Sequence, residues 1–415
     1  MLPIQNDVIV FGILMLLLGL IFKTASSELP FWKNFYKYVP SVLLCYLLPS
    51  FLRLFGVVDE EMVGKLYGMA KNYLLPASLV LMTLSIDFKG LARLGGHSLA
   101  MFFTATIGIV IGGPIAVLIV GFFSPETFQV AQESDEIWRG LSTLAGSWIG
   151  GGANQAAMLE VYEYNEKLYS GMVAVDIIVA NLLMAFLLLG AGRTEAIDKW
   201  LGADSSKIEE LKKSIETYRA KIAKIPTLSN LMVVLAVGFG AVGFSHLVSG
   251  FMLDLVFDSP ALKASILGSG FFWVVVTATT IGLILSFTKA RELEGVGASR
   301  IGSVCIYILV ATIGMKMDIA EMFGQPWVIA IGLIWITIHI TLLMVVAKLI
   351  KAPFFFVAVG SQANVGGAAS APVVASAFSP ALAPVGVLLA VLGYALGTYG
   401  AIACAELMRW VSSLI

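Results

Sequence analysis

The sequence predicts an all-helical protein that crosses a membrane many times. Three observations carry that reading. Of the 415 residues, 59% are hydrophobic and only 13% are charged, against about 25% charged in ordinary globular chains. Apolar runs near 20 residues recur from one end to the other, each long enough to span a bilayer. Two of these runs, "GSWIGGGANQAAM" (Gly146–Met158) and "GSQANVGGAASAP" (Gly360–Pro372), are interrupted by glycines and amides.

The apolar segments fall at 7–24, 36–57, 64–87, 97–121, 138–160 and 166–191. They resume at 229–252, 260–287, 293–316, 325–350, 354–377 and 382–411. The order is six, a polar linker, then six. The first run has no basic n-region and is followed by Lys23 rather than by a small-residue cleavage site, so it reads as a membrane helix and not as a signal peptide.

The halves look like copies. "TLSIDFKG" (Thr83–Gly90) resembles "TIGMKMDI" (Thr312–Ile319), 229 positions later, and the two Gly-Ser pairs lie 214 positions apart. The loop from Phe122 to Ile137, which lacks a counterpart, absorbs the difference. Internal repeats of this kind recur in secondary transporters. The expected divisions are a first repeat at 1–191, a linker at 192–228 and a second repeat at 229–415.

The linker is basic, which places it on the cytoplasmic side. Within it Ile208, Leu211, Ile215, Tyr218, Ile222 and Ile225 follow the spacing of a helical seam, begun by a Ser206–Glu209 capping box and stopped by Pro226. An amphipathic helix is expected there, against the membrane or against a second subunit.

Topology turns on the two interrupted segments. If they cross, each half has six crossings and the halves are parallel. If they enter and leave on one side, each half has five and the repeats are inverted. The Lys and Arg distribution is the same under both arrangements. The re-entrant arrangement is favoured because the segments are Gly- and Ser-rich at their centres, and because it puts the acidic stretches Glu126–Glu136 and Glu160–Glu166 outside. Twelve crossing segments with two discontinuous helices remain the alternative.

Irregular backbone at membrane depth is tolerated only where protein buries it or where it lines a wet cavity. A helix broken there leaves free carbonyls, which suit a cation, and free amides, which suit an anion. The expected substrate-binding residues are therefore Ser147, Gly151, Gly152, Ala153, Asn154 and Gln155 in the first segment. In the second they are Ser361, Gln362, Asn364, Gly366, Gly367, Ala368 and Ser370. Close packing through small residues explains the glycines. It does not explain the amide side chains beside them, which are costly in hydrocarbon unless paired.

Asp176 lies deep in the next apolar segment, with no Lys or Arg near it in sequence. An intramembrane carboxylate is a functional candidate by default, here as a sodium ligand or proton carrier. Gly150, Thr83, Thr312 and Thr398 join it as ion-coupling candidates. His339 reads as a hydrogen-bonded core histidine.

A net charge of −1 gives no basis for nucleic-acid binding. Cys45, Cys305 and Cys404 sit in apolar runs without the spacing of a disulfide framework or zinc site. There is no P-loop, Gly-x-Ser-x-Gly or His-Glu-x-x-His pattern. Neither an enzyme nor a cofactor is expected, only a coupling ion, Na+ or H+.

The two Gly-rich segments, each fifth of six in its half, resemble the re-entrant loops of sodium-coupled glutamate symporters and of 2-hydroxycarboxylate transporters. The whole chain most resembles the bacterial membrane family DUF819. The resemblance implies an inverted-repeat transporter of the inner membrane, with a scaffold that forms a homodimer and a transport domain that shifts like an elevator. The symporter loops usually carry a His that is absent here, so substrate identity does not follow. The expected function is sodium- or proton-coupled transport of a small, anionic organic solute, with cation/proton antiport as the alternative. Sodium/proton antiporters, with crossed discontinuous helices, share the same site physics.

Overall fold

The structure is a computed structural model. It describes residues 3–92, 94–130, 132–203, 208, 226–256, 259–263, 265–318, 326–379 and 382–415. Among them no strand forms beyond an isolated bridge between Ile4 and Val58. The first half contains α1 (Asp7–Ala25), α2 (Pro30–Tyr38), α3 (Ser41–Leu54), α4 (Glu60–Met69) and α5 (Leu75–Leu84). It continues with α6 (Gly95–Phe123), α7 (Ile137–Val161), α8 (Tyr169–Ala191) and α9 (Thr194–Leu201). The second contains α10 (Leu228–Val256), α11 (Gly270–Ser286), α12 (Ala298–Gly314), α13 (Pro326–Ile350), α14 (Phe354–Val365), α15 (Gly367–Phe378) and α16 (Ala383–Ser412).

Six of these helices are long and apolar enough to cross a membrane alone: α1, α6, α8, α10, α13 and α16. The other expected spans are present but shorter or bent. α11 and α12 have 17 residues each, or about 26 Å at 1.5 Å per residue. α4 and α5 are joined through a π-helical turn, Ala70–Leu74. Pro40 lies at an 88° bend between α2 and α3. Only Ile208 of the linker seam is among the described residues, so the expected linker helix lies outside them.

The interrupted segments are hairpins. Trp138, at the start of α7, packs its ring 5.3 Å from that of Tyr162, just past the end. Arg139 Nη1 donates to the Tyr162 carbonyl at 2.7 Å. Twenty-four residues of straight helix would separate those ends by about 36 Å. The turn is made at Gly151, with φ 73° and ψ −173°, a region essentially reserved for glycine. A Cβ on Gly146 would lie 2.5 Å from the Asn154 carbonyl oxygen, which shows how closely the two limbs return.

α14 and α15 repeat the construction. Phe354 and Phe355 meet Phe378 at ring separations of 6.2 and 5.3 Å, and Gly367 turns the chain with φ 58°. The turning glycines are 216 positions apart, as are Trp138 and Phe354, and Tyr162 and Phe378. The structural register of the two segments thus differs by two residues from the Gly-Ser register of the sequence. The backbone reversal fixes it, and the Gly-Ser pairs do not sit at the reversal.

The mouths of the hairpins open at opposite ends of the molecule. Asn165, beyond the first mouth, bonds to Ser134 and Asp135 at 2.9 and 2.7 Å, so the two acidic stretches share one end. From there α8 runs its 23 residues to the far end. There α9 follows, and Asp198 accepts the Phe354 amide at 2.7 Å at the second mouth.

The helices sort into two groups by packing. α1, α3, α4, α5, α10, α11 and α12 pack on one another. α6, α8, α13 and α16 pack on one another and around both hairpins, with the largest contact between α16 and α7. Cys45, Cys305 and Cys404 are buried and free.

Candidate functional site

The hairpin tips converge on α16. A Cβ on Gly393 would lie 2.6 Å from the Ile149 carbonyl oxygen and 3.7 Å from that of Ala363. Those carbonyls end the entering limb of each hairpin. One turn on, Gly150 and Gly397 touch backbone to backbone, since a Cβ on Gly150 would lie 2.6 Å from the Gly397 Cα. Larger residues at these crossings would hold the tips apart. Gly152 and Ala369 are exposed at the tips, while Gly151, Gly366, Ala368 and Ser370 are half-buried. Ala153, Gly367 and Gly150 are buried. The backbone at the turns is thus reachable from outside the protein.

At the first tip, Asp176 of α8 gathers three donors. Ser147 Oγ and Gln155 Nε2 reach its Oδ2 at 2.8 and 3.2 Å, and Trp148 Nε1 reaches Oδ1 at 2.7 Å. Ser147 and Gln155 lie on opposite limbs, so the carboxylate ties the reversal together. At the second tip an amide does comparable work: Gln362 Nε2 donates to Ser370 Oγ at 2.7 Å, bridging the limbs over Gly366. Gln362 Oε1 is buried without a hydrogen-bond partner.

The two asparagines are fully buried and fastened alike. Asn154 Nδ2 donates to the carbonyls of Gly150 and Tyr394, both at 3.0 Å, and its Oδ1 accepts from Thr398 Oγ1 at 2.6 Å. Asn364 Nδ2 donates to the carbonyls of Gly360 and Phe102 at 3.0 and 3.2 Å, and its Oδ1 accepts from Thr106 Oγ1 at 2.8 Å. Asn154 satisfies the Gly150 carbonyl across its turn and Asn364 the Gly360 carbonyl of its own limb, and each clips its hairpin to a carbonyl and hydroxyl one turn apart on a neighbouring helix. They lie on opposite sides of their turns: Asn154 follows Gly151, and Asn364 precedes Gly367.

Ser361 meets His339 of α13 instead of the tip. His339 Nδ1 faces the Ala105 carbonyl at 3.0 Å and so carries the proton, which leaves Nε2 to accept from Ser361 Oγ at 2.8 Å. All three groups are buried, as expected of a core histidine. The structure therefore brings together Ser147, Gln155 and Asp176, then Asn154 and Thr398, then Gln362 and Ser370. Thr83 and Thr312 stay in the other group of helices. Thr312 Oγ1 bonds Leu309 O at 2.7 Å, and Thr83 Oγ1 is buried without a partner.

Trp148, Thr106, Tyr394 and Thr279 escaped the sequence reading. Thr279 of α11 meets Thr398 at 3.0 Å, extending the Asn154 network into the first group. Their only signal was polarity within apolar runs, which many helix-bonded Ser and Thr residues share.

The comparisons with known proteins agree with one another. The family model described as protein of unknown function (DUF819) matches residues 12–411. The uncharacterized membrane protein YjcL of Bacillus subtilis (strain 168) is 24% identical over 355 residues, covering 83% of each chain. With an all-helical, multi-span fold and a family match over nearly its whole length, the chain belongs to the DUF819 family of membrane proteins.

Proposed function

We propose that this protein is a secondary active transporter of a small organic solute, with a single carboxylate as its simplest recognised group. One observation carries the reading: two helical hairpins open at opposite ends of the molecule and bring their tips together, reachable, against one glycine-lined helix. Each tip offers the amides that begin its returning limb, positions 152–155 and 367–370. Such amide ends attract anions. The carbonyls of Ile149 and Ala363 offer the complementary cation end.

The matched turns, 216 residues apart, and their opposite mouths support inverted repeats of five crossings and one hairpin. The two packing groups support division into a scaffold of α1, α3–α5 and α10–α12 and a transport domain holding both hairpins. Sliding of one past the other is the elevator motion implied by the resemblance, with the scaffold as the dimer-forming part. The basic linker supports an orientation with the second mouth on the cytoplasmic side of a bacterial inner membrane and the first mouth outside. Cation/proton antiport, with Asp176 as the exchanging group, is the second reading, resting on that carboxylate's place at the first tip.

The test is a thermal-shift screen of purified protein against monocarboxylates, dicarboxylates, amino acids and neutral analogues, with and without sodium. A bound ligand raises apparent stability by mass action, by about 2.7 kcal/mol at a hundredfold excess over Kd. Stabilisation by an organic anion, lost when bulk is added at Gly152 or Ala369, is the expected result. Cation/proton exchange in vesicles with no organic ligand would replace this reading with the antiporter.

A further inference from the structure

We propose that Glu160 is the proton-binding residue of this transporter, and that it senses the position of the moving helices through an ion pair with Lys71. The inference rests on the two-group reading above. A ligand shifts a conformational equilibrium only by binding its states differently, so a coupling group must change surroundings when the groups move. Asp176 does not meet that requirement. Its three donors, Ser147, Trp148 and Gln155, belong to the hairpin it fastens and travel with it.

Glu160 does meet it. It lies on the returning limb of the first hairpin, and its side chain is 5% exposed. Its Oε2 is 2.5 Å from Lys71 Nζ, which belongs to the other group of helices. Its Oε1 is buried and has no hydrogen-bond partner. Lys71–Glu160 and Lys316–Glu166 are ion pairs that join the two groups, and both lie at the first mouth. Glu166 is the more exposed of the two carboxylates, at 35%, while Lys71 and Lys316 are 30% and 23% exposed.

A second, independent feature marks the same spot. Lys71 sits in the π-helical turn Ala70–Leu74. Such turns are rare and gather at functional sites, because the extra residue re-aims the side chains around it. Here Lys71 lies 5.1 Å above the Phe271 ring of α11. The charged and titratable groups that face Glu160 are Lys71 from this turn, Lys316 from the end of α12, Glu163 and Glu166 from the loop after α7, and Tyr169 from α8.

When the transport group slides, the pair separates and leaves a carboxylate with no counter-charge in a poorly hydrated cleft, a costly arrangement. Protonation removes that cost. A carboxylate oxygen of Glu160 takes a proton from hydronium at the first mouth, forming an O–H bond and releasing water. Lys71 keeps its own charge and meets solvent. On return, Glu160 gives the proton back to water as the pair re-forms. One proton is therefore bound on each excursion and released at the same mouth on return, so protonation sets the balance between the two states.

Spin labels on cysteines at Gly64→Cys and Lys167→Cys, one in each group near the first mouth, read the separation in full-length protein in liposomes. Both positions are exposed. Wild type should show two distances, with the paired-state share falling as pH is lowered. Transfer of one proton changes the ratio of two states by at most about tenfold per pH unit. Glu160→Gln should populate the separated state at neutral pH and flatten the pH response, whereas Asp176→Asn should keep it. If Glu160→Gln does not fold, Lys71→Met should flatten the response by removing the state-dependent partner. A Glu160→Gln response like wild type's overturns the proposal, as does a flat response confined to Asp176→Asn. A single distance at every pH in every variant overturns the two-group transport reading itself.

Discussion

Asn154 and Asn364 show what an amide is for at a helix break. Each donates twice and accepts once, all within protein, so neither has a free hydrogen to offer a solute. In the proposed transporter their effect on binding is through the shape of the tip. Asn154→Leu removes the hydrogen bonds to the carbonyls of Gly150 and Tyr394 and from the hydroxyl of Thr398, which keeps Thr279, and each lost bond is worth about 0.5–1.5 kcal/mol net. The melting temperature in detergent should drop, and more than for Asn181→Leu, whose exposed side chain bonds only within its own helix. Asp176→Asn should also lower it, because an amide nitrogen would face donors that now converge on a carboxylate. A solute that binds Asn154→Leu as well as wild type would show that this fastening does not shape the site.

At the scale of elements, the hairpins depend on two glycines in different conformations. Gly151 has φ 73° and ψ −173°, and Ala forced into that region carries about 1–3 kcal/mol of strain. Gly367 has φ 58°, in the left-handed range that Asn enters several times more readily than other side chains. Gly151→Ala should therefore lower the melting temperature, and Gly367→Asn should be milder than Gly367→Val. Equal melting temperatures for Gly151→Ala and wild type would show that the first turn relaxes to another shape. The hairpin form also fixes the sidedness of its flanks. Cysteines at Glu133 and Glu163, both exposed, should react with an impermeant reagent from the same side of the membrane. Reaction from opposite sides would require the first segment to cross.

The whole molecule is two helix groups joined across α11 and α16 by hydroxyl pairs, Thr279 with Thr398 at 3.0 Å and Thr280 with Tyr399 at 2.7 Å. Hydroxyl pairs suit the proposed sliding of one group past the other, since each is modest in net strength and readily exchanged for water or another hydroxyl. Opposed mouths make a further prediction about orientation. A cysteine at the exposed Lys351, beside the second mouth, should react from the side opposite to Glu133. Reaction of both from one side would remove the inversion on which the proposed alternating access rests.

Composition and periodicity determined the class of this protein, because a chain this apolar with so many bilayer-length runs has no other stable solution. Glycine and amide clustering located both breaks correctly, since helix interruption at membrane depth leaves a local mark. Asp176 stood out for the same reason, as a lone charge in hydrocarbon. The tertiary structure decided what these marks do. That the broken segments fold back is written in contacts between residues 24 positions apart, Trp138 with Tyr162 and Phe354 with Phe378. A sequence read by local period does not carry such contacts. The partners of Asn154, 240 and 244 positions away, and of Glu160, on a π-turned helix in the other group, were invisible for that reason. A side chain's type shows that it needs a partner, and only the fold supplies which one, and whether that partner moves with it.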